Sequence, residues 1–433
     1  MLQTLRNAWK IPDLRKKILY TILLLVVFRF GSVIPVPWID KAALQTWLSG
    51  SQGSTLFDLL DTFSGGSFSQ ATIFAMSISP YINSSIIVQL LCVAIPALER
   101  WSKEGEEGRK KITKLTRYLT VVLAAIQAYG LFVTLHNQGA IMNVAGVPGF
   151  VVGLTIILAF TAGTAFLMWL GEEITGKGIG NGISMLIFAG IVSRVPVMLQ
   201  TAWKGFVPTG RWYVLILLAV YSLASIMFVI LVNQAERRIP VQYAKRVVGR
   251  KMYGGQSSNI PIKVAMAGVI PIIFAMSIMS FPGTLAQLFG KSDGILVKIT
   301  QFVTTGPIYP ILYFLLIVGF TYFYTSITFN PIEVSNNIKT NNGMIPGIRP
   351  GRPTTEYIAK VLSRLTFIGA LFLGIIAVLP IALTQIFANY LTADLSALSL
   401  TGTSLLIVVG VALETVREVE SQMIMRHYKG FLE

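Results

Sequence analysis

Few side chains in this sequence belong to the types that catalyse reactions or bind metals. The chain has two histidines, His136 and His427, and a single cysteine, Cys92. They form no HExxH zinc motif, and both histidines fall outside the apolar stretches, in a loop and in a tail. A single cysteine also excludes an intramolecular disulfide. The sequence therefore predicts no enzymatic activity, no metal site and no cofactor.

A glycine-rich stretch at 176–182 could be mistaken for a nucleotide-binding loop. Its spacing matches neither the GxGxxG nor the Walker pattern, and no strand precedes it. We interpret this stretch as a tight turn that leads into the following helix.

Ionisable side chains are largely missing from the apolar stretches themselves. No Asp, Glu, Lys or His falls in the middle of a predicted span, and only Arg29 and Arg194 lie inside, near ends from which they can snorkel to the interface. Ion-coupled transporters and proton pumps need buried ionisable groups. The pattern thus favours a passive conduit. A secondary transporter with inverted repeats is the alternative, and a structural scaffold for other membrane subunits is a third hypothesis.

The elements that must position these residues are membrane helices. Of 433 residues, 54% are hydrophobic and 12% are charged, which is typical of a polytopic membrane protein. The first apolar stretch has no small-residue cleavage site, so we interpret it as a retained helix. We predict an all-α fold with ten spans at about 18–34, 71–95, 118–135, 150–170, 183–199, 212–232, 264–289, 308–329, 365–391 and 398–413.

The basic residues indicate how these spans are oriented. One side of the predicted topology carries 26 lysines and arginines in its tails and loops, and the other side carries 5. The positive-inside rule therefore places both termini in the cytoplasm. The same asymmetry accounts for most of the net charge of +16 without nucleic acid.

The ten predicted spans divide into two halves of five, 1–205 and 206–433. An odd number of spans per half inverts the second half in the membrane and predicts a central site between the halves. The second span of each half contains a proline, Pro80 and Pro271, which indicates moving or pore-lining helices. Chance is the alternative explanation, because proline is common in membrane helices.

An uncharged stretch of 37 residues separates Asp61 from Glu99. A single helix of that length would measure about 55 Å, whereas a bilayer core needs only ~20 residues. The sequence Ser64-Gly65-Gly66-Ser67 predicts a break, because glycine is unfavourable inside helices. We interpret the whole stretch as a pore helix, the span at 71–95, that carries its own stopper, the short piece before the break. An external loop with an interfacial helix is the alternative.

Two cytoplasmic loops, 233–263 and 330–360, are longer than a helix-to-helix connection requires. The first is strongly basic. In the second, two prolines and two glycines surround Arg349 and predict a turn that presents this side chain. Contact with lipid headgroups is one interpretation, and docking of a large cytoplasmic partner is the other.

Several motifs together are highly specific. They are Phe63-Ser64-Gly65-Gly66, Pro80-Tyr81-Ile82, Gly180-Asn181-Gly182-Ile183-Ser184, the Arg237–Arg246 run, Met266-Ala267-Gly268-Val269-Ile270-Pro271, Ile348-Arg349-Pro350-Gly351 and Gly402-Thr403-Ser404-Leu405-Leu406-Ile407. With them the whole chain resembles the SecY family of bacterial protein-conducting channel subunits. The resemblance implies a ten-helix clamshell around an hourglass pore, with a lateral gate where spans two and three part from spans seven and eight.

The resemblance also implies roles for individual residues. The pore ring is carried over to Ile82, Ile86, Ile187, Ile191, Ile273 and Ile407. The plug is the segment at about 55–67 and is carried over to Phe57, Leu60, Phe63, Ser64, Gly65 and Gly66. The hinges of the lateral gate are Pro80 and Pro271. Motor or ribosome docking is carried over to Arg237, Arg238, Lys245, Arg246, Arg250, Lys251 and Arg349.

The implied function is translocation of unfolded secretory preproteins across the bacterial cytoplasmic membrane and lateral release of membrane segments into lipid. The implied partners are the membrane subunits SecE and SecG, the SecA ATPase, the ribosome, and signal sequences. An apolar collar can gate by dewetting. Ile82 and Ile86 are four residues apart and share a helix face. Without the resemblance, the favoured interpretation of each isoleucine is that it faces lipid or packs in a core.

Overall fold

The chain forms a helical bundle with small β-sheets in a computed structural model. The structure describes residues 6, 8–50, 61, 64–142, 146–208, 212–243, 246–248, 251–253, 257–289, 308–387 and 396–429. The described helices before residue 235 are α1 Pro12–Gly31, α2 Lys41–Gly50, α3 Ser79–Ala94, α4 Pro96–Lys103, α5 Glu106–Asn137, α6 Gly149–Lys177, α7 Gly182–Phe206 and α8 Trp212–Gln234. The remaining described helices are α9 Ile270–Phe289, α10 Ile308–Thr328, α11 Pro331–Thr340, α12 Arg352–Phe387 and α13 Ser396–Lys429.

The helical membrane class predicted from composition is confirmed. Among the described residues, five helical segments are long and apolar enough to cross a membrane. A sixth candidate consists of α3 and α4, which bend by 102° at their junction. The count of ten spans in two halves stays a prediction.

Two predicted spans begin later than expected. Helix α3 starts at Ser79 instead of 71, and α9 starts at Ile270 instead of 264, after irregular turns. Pro80 and Pro271 are therefore each the second residue of a helix, where the missing N–H has no partner to lose. The predicted bounds placed both prolines inside a helix, which was wrong, because each one helps to begin a helix.

Three other helices extend beyond their apolar segments. Helix α5 begins at Glu106 instead of 118, α12 begins at Arg352 instead of 365, and α13 ends at Lys429 instead of 413. Hydropathy marks only the part of a helix that suits a bilayer. The expected loop after the second span thus consists largely of α4 and the first turns of α5, and its basic residues lie on these two helices.

The helices of the two predicted halves meet along two seams. Helix α7 packs against α13, and α9 packs against both α3 and α5. Within the first half, α3 is tied to α5 by the Ser84 hydroxyl, which donates to the Thr116 carbonyl over 2.8 Å. Among the described residues, the largest apolar cluster includes residues of α7, α8, α9, α10, α12 and α13.

The two long loops do not remain irregular. Strands β1 Glu236–Tyr243 and β4 Ser257–Lys263 pair antiparallel, and β1 also pairs with β5 Gly343–Met344 from the second loop. A separate hairpin consists of β2 Arg246–Val248 and β3 Lys251–Tyr253. Buried Ile239, Val241 and Ile262 pack against Ile345 and Ile358, so the two loops form one body.

Candidate functional site

The isoleucines expected to form a ring lie on four helices. Ile82 and Ile86 are on α3, Ile187 and Ile191 on α7, Ile273 on α9, and Ile407 on α13. Ile86, Ile187, Ile191 and Ile407 are buried, with at most 4% of their surface exposed, and the other two are half-buried.

Five of the six isoleucines belong to one apolar cluster. Ile187, Ile191 and Ile407 are among its buried members, and Ile82 and Ile273 pack against it. Ile86 is buried but lies outside this cluster. The structure thus brings together side chains that are more than 300 residues apart in sequence, such as Ile82 and Ile407. We call these six isoleucines the collar; side chains of this kind present only hydrocarbon and can exclude water and hydrated ions.

A tight turn at 64–67 packs against helix α7, next to the collar residues of that helix. Gly65 and Gly66 have φ angles of +68° and +88°, which favour glycine. Ser64 and Gly65 are buried, and Gly66 is half-buried. The predicted break at this position is therefore confirmed. Three residues expected in the plug, Phe57, Leu60 and Phe63, lie outside the described residues.

The turn packs directly against the backbone of α7. A β-carbon on Gly65 would lie 2.9 Å from Ser193 Oγ and 3.1 Å from both Cα and O of Gly190. A β-carbon on Gly66 would meet no atom within 4 Å. Only glycine fits at position 65, both for its φ angle and for this close approach.

The two arginines expected to snorkel are bonded to protein groups. Arg194 on α7 forms an ion pair with Asp61, in which Arg194 Nη1 faces Asp61 Oδ2. Arg29 on α1 donates to the Gly65 carbonyl over 3.2 Å and to Ser193 Oγ over 3.3 Å. Arg194 is half-buried and Arg29 is exposed, and both have polar partners in the protein that the snorkelling expectation did not include. Sequence reasoning missed this role of Asp61, although Asp61 marks the start of the uncharged stretch.

The segment after the turn is fixed to the remainder of the bundle before α3 begins. The Val36 N–H donates to the Ala71 carbonyl over 2.9 Å, and the Ile73 N–H donates to the Ile34 carbonyl over 3.1 Å. On α6, a β-carbon at Gly163 would lie only 2.0 Å from the Ile73 carbonyl oxygen. Glycine at this position therefore lets α6 touch the backbone that leads from the turn into α3.

The expected docking residues are partly described. Arg237 and Arg238 are exposed on β1, and Arg238 Nε lies 2.7 Å from Glu236 Oε1. Arg246 lies on β2 opposite Tyr253, and Lys251 lies on β3 opposite Val248. Lys245 and Arg250 lie outside the described residues.

Arg349 is exposed in a turn between β5 and α12. Buried Thr354 donates from its hydroxyl to the Arg349 carbonyl over 2.9 Å. Buried Ser335 on α11 donates to the Gly351 carbonyl over 3.1 Å. Two hydroxyls thus hold the backbone on both sides of Pro350, and sequence reasoning did not identify either of them.

Several charged side chains lie close to Lys263, the last residue of β4. Partial burial lowers the pKa of Lys263, and the neighbouring guanidinium of Arg417 lowers it further, whereas the carboxylates of Glu236 and Glu414 raise it. Arg417 also donates to the Asn233 carbonyl over 2.8 Å and so ties α13 to the end of α8. Within the described residues, no group of three His, Cys, Asp or Glu side chains could hold a metal ion.

Known proteins match both the sequence and the fold. The sequence profile of the SecY family matches residues 72–416. A protein translocase subunit SecY from Halalkalibacterium halodurans is 47% identical over the full length of both chains. Proteins of the same name from Bacillus subtilis and Thermotoga maritima are each 44% identical over the whole of this chain, covering 100% and 98% of their own lengths.

Solved structures with the same fold are more distant in sequence. A protein-conducting channel superposes with a TM-score of 0.64 at 19% identity, covering 94% of this chain and 92% of its own. A SecY structure described by the stabilisation of its closed state by a plug domain has a TM-score of 0.65 at 17% identity, with the same coverage. The full-length identity to translocase subunits and the matching profile show that this chain belongs to the SecY family of protein-conducting channel subunits.

Proposed function

We propose that this chain moves unfolded secretory preproteins outward across the bacterial cytoplasmic membrane and releases membrane segments sideways into lipid. The observation that carries the proposal is the apolar collar of isoleucines from α3, α7, α9 and α13, beside the glycine turn at 64–67. The family assignment favours this channel over the inverted-repeat transporter, which needs ionisable groups to couple ion and substrate.

The proposed architecture has ten spans in two inverted halves, 1–205 and 206–433, with both termini in the cytoplasm. It is supported by the six membrane-capable candidates and by shorter apolar segments at Ala219–Gln234 and Ile270–Met279. The ratio of 26 to 5 basic residues across the predicted topology supports the orientation.

In this proposal the collar is the constriction of the pore. Side chains without hydrogen-bonding groups grip an extended chain without binding any sequence specifically, and they close by dewetting. The segment before Gly65 acts as the plug on the outer side of the collar. The seam where α9 meets α3 and α5 is the lateral gate, and Pro80 and Pro271 at the helix starts are its hinges.

The cytoplasmic face supplies the docking surface. The strands of the first loop and the Arg349 turn of the second belong to one body, because β1 pairs with both β4 and β5. A motor such as SecA or a ribosome would contact both loops together, and basic side chains suit the phosphates of ribosomal RNA. Two solved relatives of this fold are channels bound to ribosomes, with TM-scores of 0.60 and 0.58. SecE and SecG would be the membrane partners.

Export into proteoliposomes tests this proposal. The chain is reconstituted with SecE and SecG, and uptake of a secretory preprotein is followed after addition of SecA and ATP. We expect uptake by the wild type and its loss in Arg349→Glu, because the charge of an exposed docking residue is reversed. Arg352→Glu is the matched control, since Arg352 is also exposed but its Nε faces Glu356 Oε1 at 3.0 Å. No uptake by the wild type would refute the function, and normal uptake by Arg349→Glu would remove that docking role.

A further inference from the structure

We propose that Asp61, Arg194 and Arg29 form a latch that holds the plug closed and fastens its described part, Asp61 and the turn at 64–67, to the first half of the channel. The inference rests on the proposed function and adds residues that control opening. None of the three was expected to act on the plug from the sequence.

Asp61 is the centre of the latch. Its side chain is 9% exposed, and its Oδ2 faces Arg194 Nη1, whose side chain is 23% exposed. Its Oδ1 accepts the N–H of Ser69 over 2.8 Å, and its backbone carbonyl accepts the N–H of Gly66 over 2.8 Å. One residue therefore closes the turn internally and ties it to α7.

Arg29 supplies the second attachment. Its guanidinium bridges the Gly65 carbonyl and Ser193 Oγ, so it joins α1, the turn and α7. The Ser193 hydroxyl is itself held by the Gly190 carbonyl over 2.7 Å, which fixes the position of its oxygen. Two arginines from two helices thus hold consecutive parts of the same short segment.

All of these partners belong to residues 1–205. The neighbouring apolar contacts follow the same pattern, because Phe68 packs in a cluster with Leu44, Ala128 and Leu131. The two halves can therefore separate along the seam of α9 without breaking the latch. Gate opening and plug release become separate steps, and the second step requires Asp61 and Arg194 to part. Separating a buried pair leaves two charges to be solvated, which opposes release until water enters the cavity.

The seat of the plug also contains a feature that favours release. Ser67 Oγ is fully buried and has no hydrogen-bond partner in the described part of the chain. A buried hydroxyl without a partner opposes the state in which it is buried. The closed position is thus held by the latch against a local penalty, and Ser67→Ala should act in the direction opposite to loss of the latch.

Ion leak through resting proteoliposomes, without preprotein or SecA, tests the latch. Asp61→Asn keeps the acceptor for Ser69 and removes the charge, and we expect about a tenfold increase in leak because it leaves Arg194 unpaired. Arg194→Gln should raise the leak similarly, and the double variant should leak less than the sum of the two single effects. Ser67→Ala should leak no more than the wild type. Glu99→Gln is the matched control, since its partner Lys103 is 75% exposed and the pair lies on the surface.

The outcomes separate the latch from the channel. If the wild type does not export preprotein, the proposed function fails. If it exports and both Asp61→Asn and Arg194→Gln leak as little as Glu99→Gln, or if their effects simply add, the latch alone is refuted. A second test covers variants that fail to fold: with Cys92 replaced by Ser, Asp61→Cys and Arg194→Cys are joined by a short bismaleimide crosslinker. We expect the crosslinked channel to dock SecA and to lose export, whereas normal export would overturn the inference.

Discussion

Replacing Gly65 by alanine should open the resting channel much more than the same change at Gly66. Both glycines have positive φ angles, so alanine at either position costs about 1–2 kcal/mol in the closed turn. Only Gly65 faces α7, where the new methyl group would lie 3.1 Å from the Gly190 backbone and 2.9 Å from Ser193 Oγ. Gly66 is therefore a control for backbone strain without packing strain.

The packing strain at position 65 has a definite size. The Gly190 backbone cannot move without shifting α7, and the Ser193 hydroxyl can move only by giving up its bonds to Arg29 and Gly190. Overpacking of this kind costs about 1–3 kcal/mol. Because 1.4 kcal/mol corresponds to a factor of ten, Gly65→Ala should raise the open fraction about 5- to 150-fold above Gly66→Ala.

Single-channel recording in planar bilayers without preprotein measures this difference as the fraction of time that the channel conducts. We expect rare openings in the wild type, a modest increase for Gly66→Ala and a much larger one for Gly65→Ala. Equal open fractions for the two variants would refute the argument that the turn seals by packing on α7. Wild-type behaviour of both variants would refute the assignment of this segment as a plug.

Two further predictions concern residues away from the pore. Gly163→Ala should destabilise the fold by about 1–3 kcal/mol, because its β-carbon would overlap the Ile73 carbonyl. Gly319→Ala on α10 meets open space and should change stability by less than about 1 kcal/mol. Thermal unfolding in detergent measures both variants, and equal stability of the two would contradict the packing at Gly163. Thr354→Val removes the hydroxyl that holds the Arg349 carbonyl and should lower SecA-driven export. It should change the free energy of unfolding by no more than about 1–2 kcal/mol. Unchanged export would show that the turn presents Arg349 without this bond.

The sequence was sufficient for the class of fold and for the position of the glycine turn. The hydropathy and charge of a segment and the position of its glycines can be identified from a short stretch of sequence, and they determine local structure. The starts of α3 and α9 were misplaced because an apolar residue is equally compatible with a helix and with the irregular turns that precede it. Pro80 and Pro271 were the signal for the true starts of α3 and α9, because proline is favoured at the beginning of a helix.

The contacts that the sequence left open are long-range. Asp61 and Arg194 are 133 positions apart, and β1 pairs with β5 although α9 and α10 lie between the two strands in the sequence. No local pattern reports such pairings. In β1 the buried Ile239 and Val241 alternate with exposed or polar residues, but a proline between them makes the strand hard to predict. The isoleucines of the collar came from the family resemblance, because their residue type alone does not distinguish a pore from lipid.

The central claim is that a translocating chain passes through the collar. A secretory chain stalled during export, with photocrosslinking residues placed one at a time in the channel, tests this claim most directly. Ile191 belongs to the collar and is 4% exposed, whereas the adjacent Val192 on α7 is 40% exposed and lies outside the apolar cluster. We predict strong crosslinks from position 191 and from Ile407, and weak ones from position 192. Crosslinks confined to position 192, with none from 191 or 407, would contradict a route through the centre of the molecule.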